Sequence, residues 1–168
     1  MAAAICMHGG DATRIALSGE SYGGHGLWSY AAARPGVFSA LVPVVSSFLP
    51  SAKTADAVCC AEAPAACCPA VWIHHGANDA KASIEIADWW ATTLRAQRQR
   101  PPHREVRYSR YSAEATREAF LRVYPGAANP FGGDEWEAHF GASTIAFGDE
   151  AFHDWLLQQV CEGCAPPV

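Results

Sequence analysis

Residues 19–23 read Gly19-Glu20-Ser21-Tyr22-Gly23, a Gly-x-Ser-x-Gly motif from which the predicted fold follows. The apolar run at residues 14–18 predicts a strand before it, and residues 23–34 predict a helix after it. A serine on so sharp a strand-to-helix turn has a strained backbone, and the glycines on either side relieve the crowding. The pattern predicts a turn that presents the Ser21 hydroxyl above the end of a strand. A glycine-rich turn with an incidental serine is the alternative.

The composition predicts one domain, over residues 1–168, with an ordinary hydrophobic core. Half of the 168 residues are apolar, 17% are charged, and the net charge is −5. No cluster of lysine and arginine indicates nucleic-acid binding, and no apolar run approaches the roughly 18 residues that a membrane span needs. Residues 1–8 lack a basic leader and a long apolar region, which favours a cytoplasmic location over secretion.

The cysteines give no clear framework. There are seven, an odd number, and the pairs Cys59-Cys60 and Cys67-Cys68 fall in an Ala/Cys/Pro-rich stretch at residues 51–69 that we expect to be a loop. Vicinal pairs do not fit the spacing of zinc ligands. We therefore expect loop cysteines without a complete disulfide framework, and one or two disulfides or a metal site are the alternatives.

Strands and helices alternate along the rest of the chain. Apolar runs at residues 40–45 and 70–75 are typical of strands covered on both faces, and residues 105–111 alternate as a further strand. Helical spacing is clear at residues 83–98 and 152–159. This alternation predicts an α/β fold with a mostly parallel sheet flanked by helices.

Three segments fit that pattern less well. Pro43 interrupts an apolar strand and indicates a strand end or an edge position. We expect residues 1–13 to be an irregular lead-in and residues 112–138 to be an insertion or loop region, in which residues 113–123 could form a helix.

A serine nucleophile needs a base, and the base needs an orienting carboxylate. Asp79 is the obvious acid, because it follows the buried strand at residues 70–75, where active-site residues of parallel sheets collect. The alternative is an aspartate that only caps the helix predicted to begin near Ser83.

Two stretches resemble motifs of the α/β-hydrolase superfamily: residues 11–24 are similar to its nucleophile region, and residues 71–79 to its strand-to-acid motif. The resemblance is to prolyl-oligopeptidase-type esterases and peptidases, and phospholipase/carboxylesterase, dienelactone-hydrolase-like and polyhydroxybutyrate-depolymerase-related members look similar too. It runs from Asp11 to Gln159. It implies a serine hydrolase of the carboxylesterase or thioesterase type that acts on a small-molecule ester or thioester and uses no metal or organic cofactor.

The resemblance also implies a catalytic triad in the order Ser21, Asp79, His139. In such esterases the histidine stands on a loop after the last strand and precedes an aromatic helix, as His139 precedes residues 152–157 here. Ala138 and Phe140 stand where the family has a glycine and an acid. A surface histidine in a helical turn is the alternative, and we expect the other histidines to be packing or loop residues.

The Tyr22 amide is the oxyanion donor that the resemblance implies. We call the strand-to-helix turn at Ser21 the elbow, and the strand that leads into it the elbow strand. Family members have several strands and a helix before this strand, and a loop there supplies the second donor. Only 13 residues precede Arg14 here, and His8-Gly9-Gly10 lies directly upstream of the strand. We therefore expect an N-terminally short relative that lacks the first strands of the usual sheet.

A short N-terminus has two consequences. It predicts an unpaired edge along the elbow strand, through which the chain could self-associate. It also leaves open a catalytically impaired α/β-hydrolase-like binding domain, or a fragment, because losing an oxyanion donor costs about 10²–10³ in rate.

Overall fold

The strand that carries the elbow is the first of four parallel strands in one sheet. The computed structural model describes residues 5, 7–59, 68–97, 104–125 and 135–161. The strands lie in the order in which they occur in the chain: β1 (Ala16–Glu20), β2 (Ala40–Val44), β3 (Ala70–Gly76) and β4 (Val106–Tyr111). Parallel pairing places all four carboxyl ends at one edge of the sheet, where the candidate site lies.

In the described part of the chain, the six helices with given bounds flank the sheet, and a short 3-10 turn at Ala12–Arg14 precedes β1. They are α1 (Tyr22–Ala33), α2 (Ala52–Val58), α3 (Ile84–Ala96), α4 (Ala113–Val123), α5 (Glu135–Gly148) and α6 (Glu150–Gln158). Side-chain oxygens cap the first amides of four of them: Ser51 of α2, Ser83 of α3, Ser112 of α4 and Asp149 of α6. The caps explain why these helices begin where they do, since the first amides of a helix have no internal acceptor.

Alternate residues of the central strands build two cores. Leu41, Val71 and Ile73 pack with α1 and α3 on one face. On the other face, Val42 and Trp72 belong to a cluster that contains residues of α5 and α6. Both faces of β2 and β3 are covered, which explains their continuous apolar runs and confirms the predicted α/β architecture.

Two predicted loop regions contain helices. α2 occupies residues 52–58 of the stretch at 51–69, because the Ser51 hydroxyl caps it and its apolar face is buried through Ala55 and Val58. In the region at 112–138, α4 forms at residues 113–123 and α5 begins at Glu135. The loop prediction was wrong for residues 52–58 and from Glu135 onward, whereas the helix considered at residues 113–123 is present.

Pro43 lies next to the end of β2, but β2 is an interior strand between β1 and β3. The pairing of β2 with β3 skips Val42 and Pro43 and resumes at Val44 with His74. Because proline has no amide hydrogen, the sheet tolerates it at this interruption of the ladder. The predicted strand-end position is therefore correct, and the edge position is wrong.

Cys59 and Cys68 form a disulfide that closes the segment after α2. The expectation of unbonded loop cysteines was therefore wrong for this pair, and one of the alternatives left open by the sequence holds. The other members of the two vicinal pairs, Cys60 and Cys67, lie outside the described residues.

The two edges of the sheet differ. At β4, the Arg95 side chain donates two hydrogen bonds to the Val106 carbonyl at 3.1 Å, and Arg107 and Arg110 form ion pairs with acidic residues. At β1, the exposed side chains are the small residues Ala16 and Ser18. Charged side chains discourage pairing with another strand and small ones do not, so self-association through β1 stays a prediction. Among the described helices, none is long and apolar enough to cross a membrane.

Candidate active site

Ser21 stands between the last residue of β1 and the first residue of α1. Its backbone has φ 52° and ψ −117°, a conformation that is costly for a residue with a Cβ atom. Its amide donates to the Val44 carbonyl at 3.0 Å, and its own carbonyl accepts from the His25 amide at 3.2 Å. The Ser21 side chain does not cap α1. The turn is therefore held by its backbone, and helix capping does not engage the hydroxyl.

Close backbone approaches fix this turn. A Cβ atom on Gly19 would overlap the backbone carbonyl of Gly23, and one on Gly24 would lie 2.6 Å from the Cβ atom of Ser46. A Cβ atom on Gly23 would meet nothing within 4 Å. The expectation that both motif glycines relieve crowding thus holds for Gly19 and is wrong for Gly23; the second glycine that packing requires is Gly24.

The strand beside the elbow ends in a second strained residue. Val45 has φ 42°, is fully buried, and donates its amide to the His74 carbonyl at 2.9 Å. A positive φ is a genuine outlier for a β-branched residue. It turns the chain so that Ser46 packs against Gly24 in the first turn of α1. The sequence carries no signal for this conformation, because valine is typical of ordinary strand.

The Tyr22 amide is a hydrogen-bond donor at the N-terminus of α1. Tyr22 is the first residue of α1, so its N–H has no acceptor within the helix. The positive end of the helix dipole also lies there and favours a negative charge. The Tyr22 side chain is 84% exposed. This amide can therefore stabilise an oxyanion formed beside Ser21.

Asp79 and His139 are joined directly. The His139 Nδ1 donates to the Asp79 Oδ2 at 2.7 Å, and both side chains are almost completely buried. The other carboxylate oxygen of Asp79 accepts from the amides of Lys81 at 2.8 Å and Ala82 at 3.0 Å. One carboxylate thus accepts from its own loop and from a histidine. Ser83 caps α3 instead, so the alternative of an aspartate that only caps this helix is wrong.

Two other buried histidines lie on β3. The His75 Nε2 is 3.7 Å from Asp79 Oδ2 but donates to the Ala82 carbonyl at 2.8 Å. Burial lowers the pKa of His75, and burial lowers the pKa of His74 to about 4. Both rings are therefore neutral near pH 7. Since His75 has its own acceptor, Asp79 is left to His139.

His139 lies in helix α5, whereas the resemblance implied a loop. Its residue is 1% exposed, so the alternative of a surface histidine is wrong. α5 packs directly over the end of β3: a Cβ atom on Gly76 would lie 2.8 Å from the Ala138 carbonyl. The absence of a side chain at Gly76 therefore allows the helix to bring His139 down to Asp79.

The structure brings two of the three residues of the predicted triad into contact. The His139 Nε2 is buried and has no hydrogen-bond partner in the described part of the chain, so no hydrogen bond joins it to Ser21. Ser21 and Asp79 follow strands of the same sheet with β2 between them, and α5 packs on β2 as well as on β3. Across the described ranges, no group of three or more His, Cys, Asp or Glu residues is placed to hold a metal ion.

Sequence reasoning missed the residues that fasten α5. Lys81, two positions after Asp79, forms an ion pair with Glu135 and lies over the ring of Trp136. Neither contact has a local sequence signal, because the partners are more than fifty positions apart.

Solved structures share this architecture. A thermostable esterase aligns with 94% of this chain and 34% of its own, with a TM-score of 0.63 and 19% identity. A Klebsiella pneumoniae subsp. pneumoniae protein named as a dienelactone hydrolase aligns with 94% of this chain and 57% of its own, with a TM-score of 0.50 and 21% identity. The chain thus spans about a third of the length of the esterase and somewhat over half of the length of the dienelactone hydrolase. No protein-family model and no curated protein matches the chain. At these identities the likeness concerns the fold, and the fold of this chain is that of the α/β-hydrolases.

Proposed function

We propose that this chain is a serine hydrolase of the carboxylesterase or thioesterase type, with Ser21 as nucleophile, His139 as base and Asp79 as the orienting acid. The observation that carries the proposal is the buried hydrogen bond of 2.7 Å between His139 Nδ1 and Asp79 Oδ2. This hydrogen bond lies near the carboxyl ends of the parallel strands, where the strained Ser21 turn also lies. Strain of this kind persists where the surrounding structure enforces it, and it is concentrated at functional sites.

The reaction follows from the donors and acceptors. An ionised carboxylate only accepts hydrogen bonds, so Asp79 keeps the proton of a neutral His139 ring on Nδ1 and leaves the Nε2 lone pair free. Nε2 takes the Ser21 proton as Oγ attacks the acyl carbon, and it returns that proton to the leaving alcohol or thiol. A water molecule then attacks the acyl-enzyme by the same route and releases the acid. The Tyr22 amide stabilises the oxyanion of both tetrahedral intermediates.

The unpartnered His139 Nε2 supports a functional role for this ring. Because no described residue donates to this nitrogen, its lone pair is free to accept a proton from a serine. Catalytic hydrogen bonds are often absent or long before substrate binds. The proposed proton transfer requires that substrate binding bring the Ser21 hydroxyl within hydrogen-bond distance of His139 Nε2.

Apolar groups beside the elbow suit an ester with an apolar acyl group. Tyr22 follows the nucleophile and is 84% exposed, and Leu49, after β2, is 77% exposed. Phe48 packs edge-on against His25 of the first helical turns, with ring centroids 4.4 Å apart. The esterase and the dienelactone hydrolase of similar fold are also, by name, hydrolases. A small-molecule ester or thioester is therefore the substrate class that we propose.

Labelling with a fluorophosphonate tests the proposal, because this probe reacts with activated serines. Wild type should be labelled, and both Ser21→Ala and His139→Ala should lose labelling; Ser29→Ala, which changes an exposed serine on α1, is the matched control. Labelling that persists in His139→Ala would assign the base to another residue. Folded wild-type protein that is not labelled would rule out the enzyme.

A second candidate function is a catalytically impaired binding domain of the same fold. The absence of a hydrogen bond from His139 Nε2 to Ser21 favours it. This candidate predicts that a non-hydrolysable ester analogue binds equally well to wild type and to Ser21→Ala, while neither turns over p-nitrophenyl acetate. Turnover by wild type that Ser21→Ala abolishes excludes it.

A further inference from the structure

The loop that carries Asp79 and the first turn of α5 are joined by one lysine. The Lys81 Nζ forms an ion pair with Glu135 and lies 4.4 Å from the centroid of the Trp136 ring. The backbone amide of the same lysine donates to Asp79 Oδ1 at 2.8 Å. Lys81 therefore contacts the acid through its main chain and the histidine-bearing helix through its side chain.

We propose that Lys81 is a positioning residue that holds His139 in register with Asp79. The catalytic part of this proposal rests on the function proposed above; the structural part does not. Lys81 acts through Trp136, since the Trp136 ring packs edge-on against the His139 ring with centroids 5.7 Å apart. Displacing α5 along its axis would disrupt both contacts of the Lys81 side chain, the ion pair with Glu135 and the contact with the Trp136 ring.

The geometry assigns Lys81 an orienting role in preference to a stabilising one. Its side chain is 29% exposed and that of Glu135 is 48% exposed, and ion pairs so close to solvent contribute little to stability. A lysine over a half-buried indole near the surface is a similarly weak contact. Two weak contacts on the first turn of a helix can nevertheless fix where that turn lies, and His139 follows Trp136 on the next turn.

The chain offers a matched control because it has two lysines. Lys53 is exposed on α2, a different helix from the one that carries His139. The experiment compares Lys81→Met, Lys81→Arg and Lys53→Met in two ways: the kcat and KM for p-nitrophenyl acetate, and the rate at which the His139 Nδ1 proton, observed by NMR, exchanges with solvent. Asp79→Asn identifies that proton signal.

We expect Lys81→Met to lower kcat about 3- to 10-fold with KM changed less than about twofold, because a small misplacement of a catalytic group costs rate without weakening binding. The Nδ1 proton should exchange at least about fivefold faster, since the bond to Asp79 opens more often. Lys81→Arg keeps the charge and the contact with the ring, and it should restore both quantities. Lys53→Met should change neither. If Lys81→Met does not fold, Glu135→Gln removes only the ion pair and should show the same pattern at smaller amplitude.

Each outcome decides the proposal. A Lys81→Met protein that matches Lys53→Met in both measurements overturns it. So does a loss of kcat with an unchanged proton exchange rate, because Lys81 would then act on the substrate. If wild type has no esterase activity, the proposed function fails, and faster exchange in Lys81→Met still supports the positioning role.

Discussion

The two halves of the candidate site are held in place in different ways. The elbow half, Ser21 and Tyr22, is fixed by backbone conformation and by close approaches among neighbours in sequence. The acid–base half, Asp79 and His139, joins residues sixty positions apart through packing of α5 on β3. One half is therefore encoded locally and the other depends on tertiary contacts, so the two should respond differently to substitution.

The largest effect is expected at Gly19. Gly19→Ala places a Cβ atom on the backbone carbonyl of Gly23, which cannot yield as a flexible side chain would. We expect a loss of at least about 3 kcal/mol in the free energy of unfolding, at the upper end for overpacking, together with loss of fluorophosphonate labelling. Urea unfolding and labelling measure the two effects.

Gly23→Ala is the matched control for Gly19→Ala. A Cβ atom there meets nothing within 4 Å, and alanine favours the helix by up to about 1 kcal/mol. Equal damage from both substitutions would mean that the elbow is not held by the approach at Gly19.

The next largest effect is expected for Asp79→Asn, which distinguishes the orientation of His139 from the stability of the fold. Asp79→Asn should lower the labelling rate about 10³- to 10⁴-fold, because an amide can donate to His139 and favour the wrong tautomer. The substituted side chain can still accept from the amides of Lys81 and Ala82, so unfolding should change little. Stopped-flow labelling and thermal unfolding give the two numbers.

Asp56→Asn, on the exposed face of α2, should leave both quantities unchanged. Since asparagine keeps the bonds to the loop amides, a large fall in melting temperature for Asp79→Asn alone would show that the bond between Asp79 and His139 stabilises the fold as well as orienting the histidine.

The sequence predicted the elbow half well because its determinants are local. The motif at residues 19–23 predicts strand, turn and helix within a few residues, and the strain at Ser21 follows from it. The packing role of Gly24 was missed. A side chain is excluded there by Ser46, which lies twenty-two positions later in the chain. The conformation of Val45 had no signal at all.

The acid–base half was predicted only in part. Asp79 follows a buried strand and could be identified from that placement. The pairing of His139 with Asp79 followed from the resemblance, but its helix and its burial did not. They depend on the missing Cβ atom at Gly76 and on the contacts of Lys81, which act across the fold.

Acid should weaken the strand beneath the acid–base half. Burial lowers the pKa of His74 to about 4, whereas the unfolded chain has a value near 6.5. Above pH 6.5 both states are neutral and stability does not depend on this group. As the pH falls from 6.5 toward 4, only the unfolded state binds the proton, so up to about 3 kcal/mol of stability is lost. Urea unfolding at several pH values measures the slope.

His74→Phe should flatten that slope, because phenylalanine keeps the ring contacts with Trp72 and Phe152 but does not titrate. His153→Phe, at an exposed position, should leave the slope as it is in wild type. If His74→Phe keeps the wild-type slope, the acid sensitivity belongs to another group.

The smallest effect is expected at Gly76, where the acid–base half can be displaced while the elbow half stays intact. A Cβ atom there would lie 2.8 Å from the Ala138 carbonyl, so α5 must move by a few tenths of an ångström. We expect Gly76→Ala to cost roughly 1 to 2 kcal/mol of stability and to slow labelling about tenfold. Labelling should still reach completion, since Ser21 keeps its turn. Gly148→Ala, at the open end of the same helix, should do neither. A Gly76→Ala protein that is destabilised yet labelled at the wild-type rate would show that His139 reaches Asp79 by its own side-chain freedom, and that the seating of α5 does not set the geometry of the site.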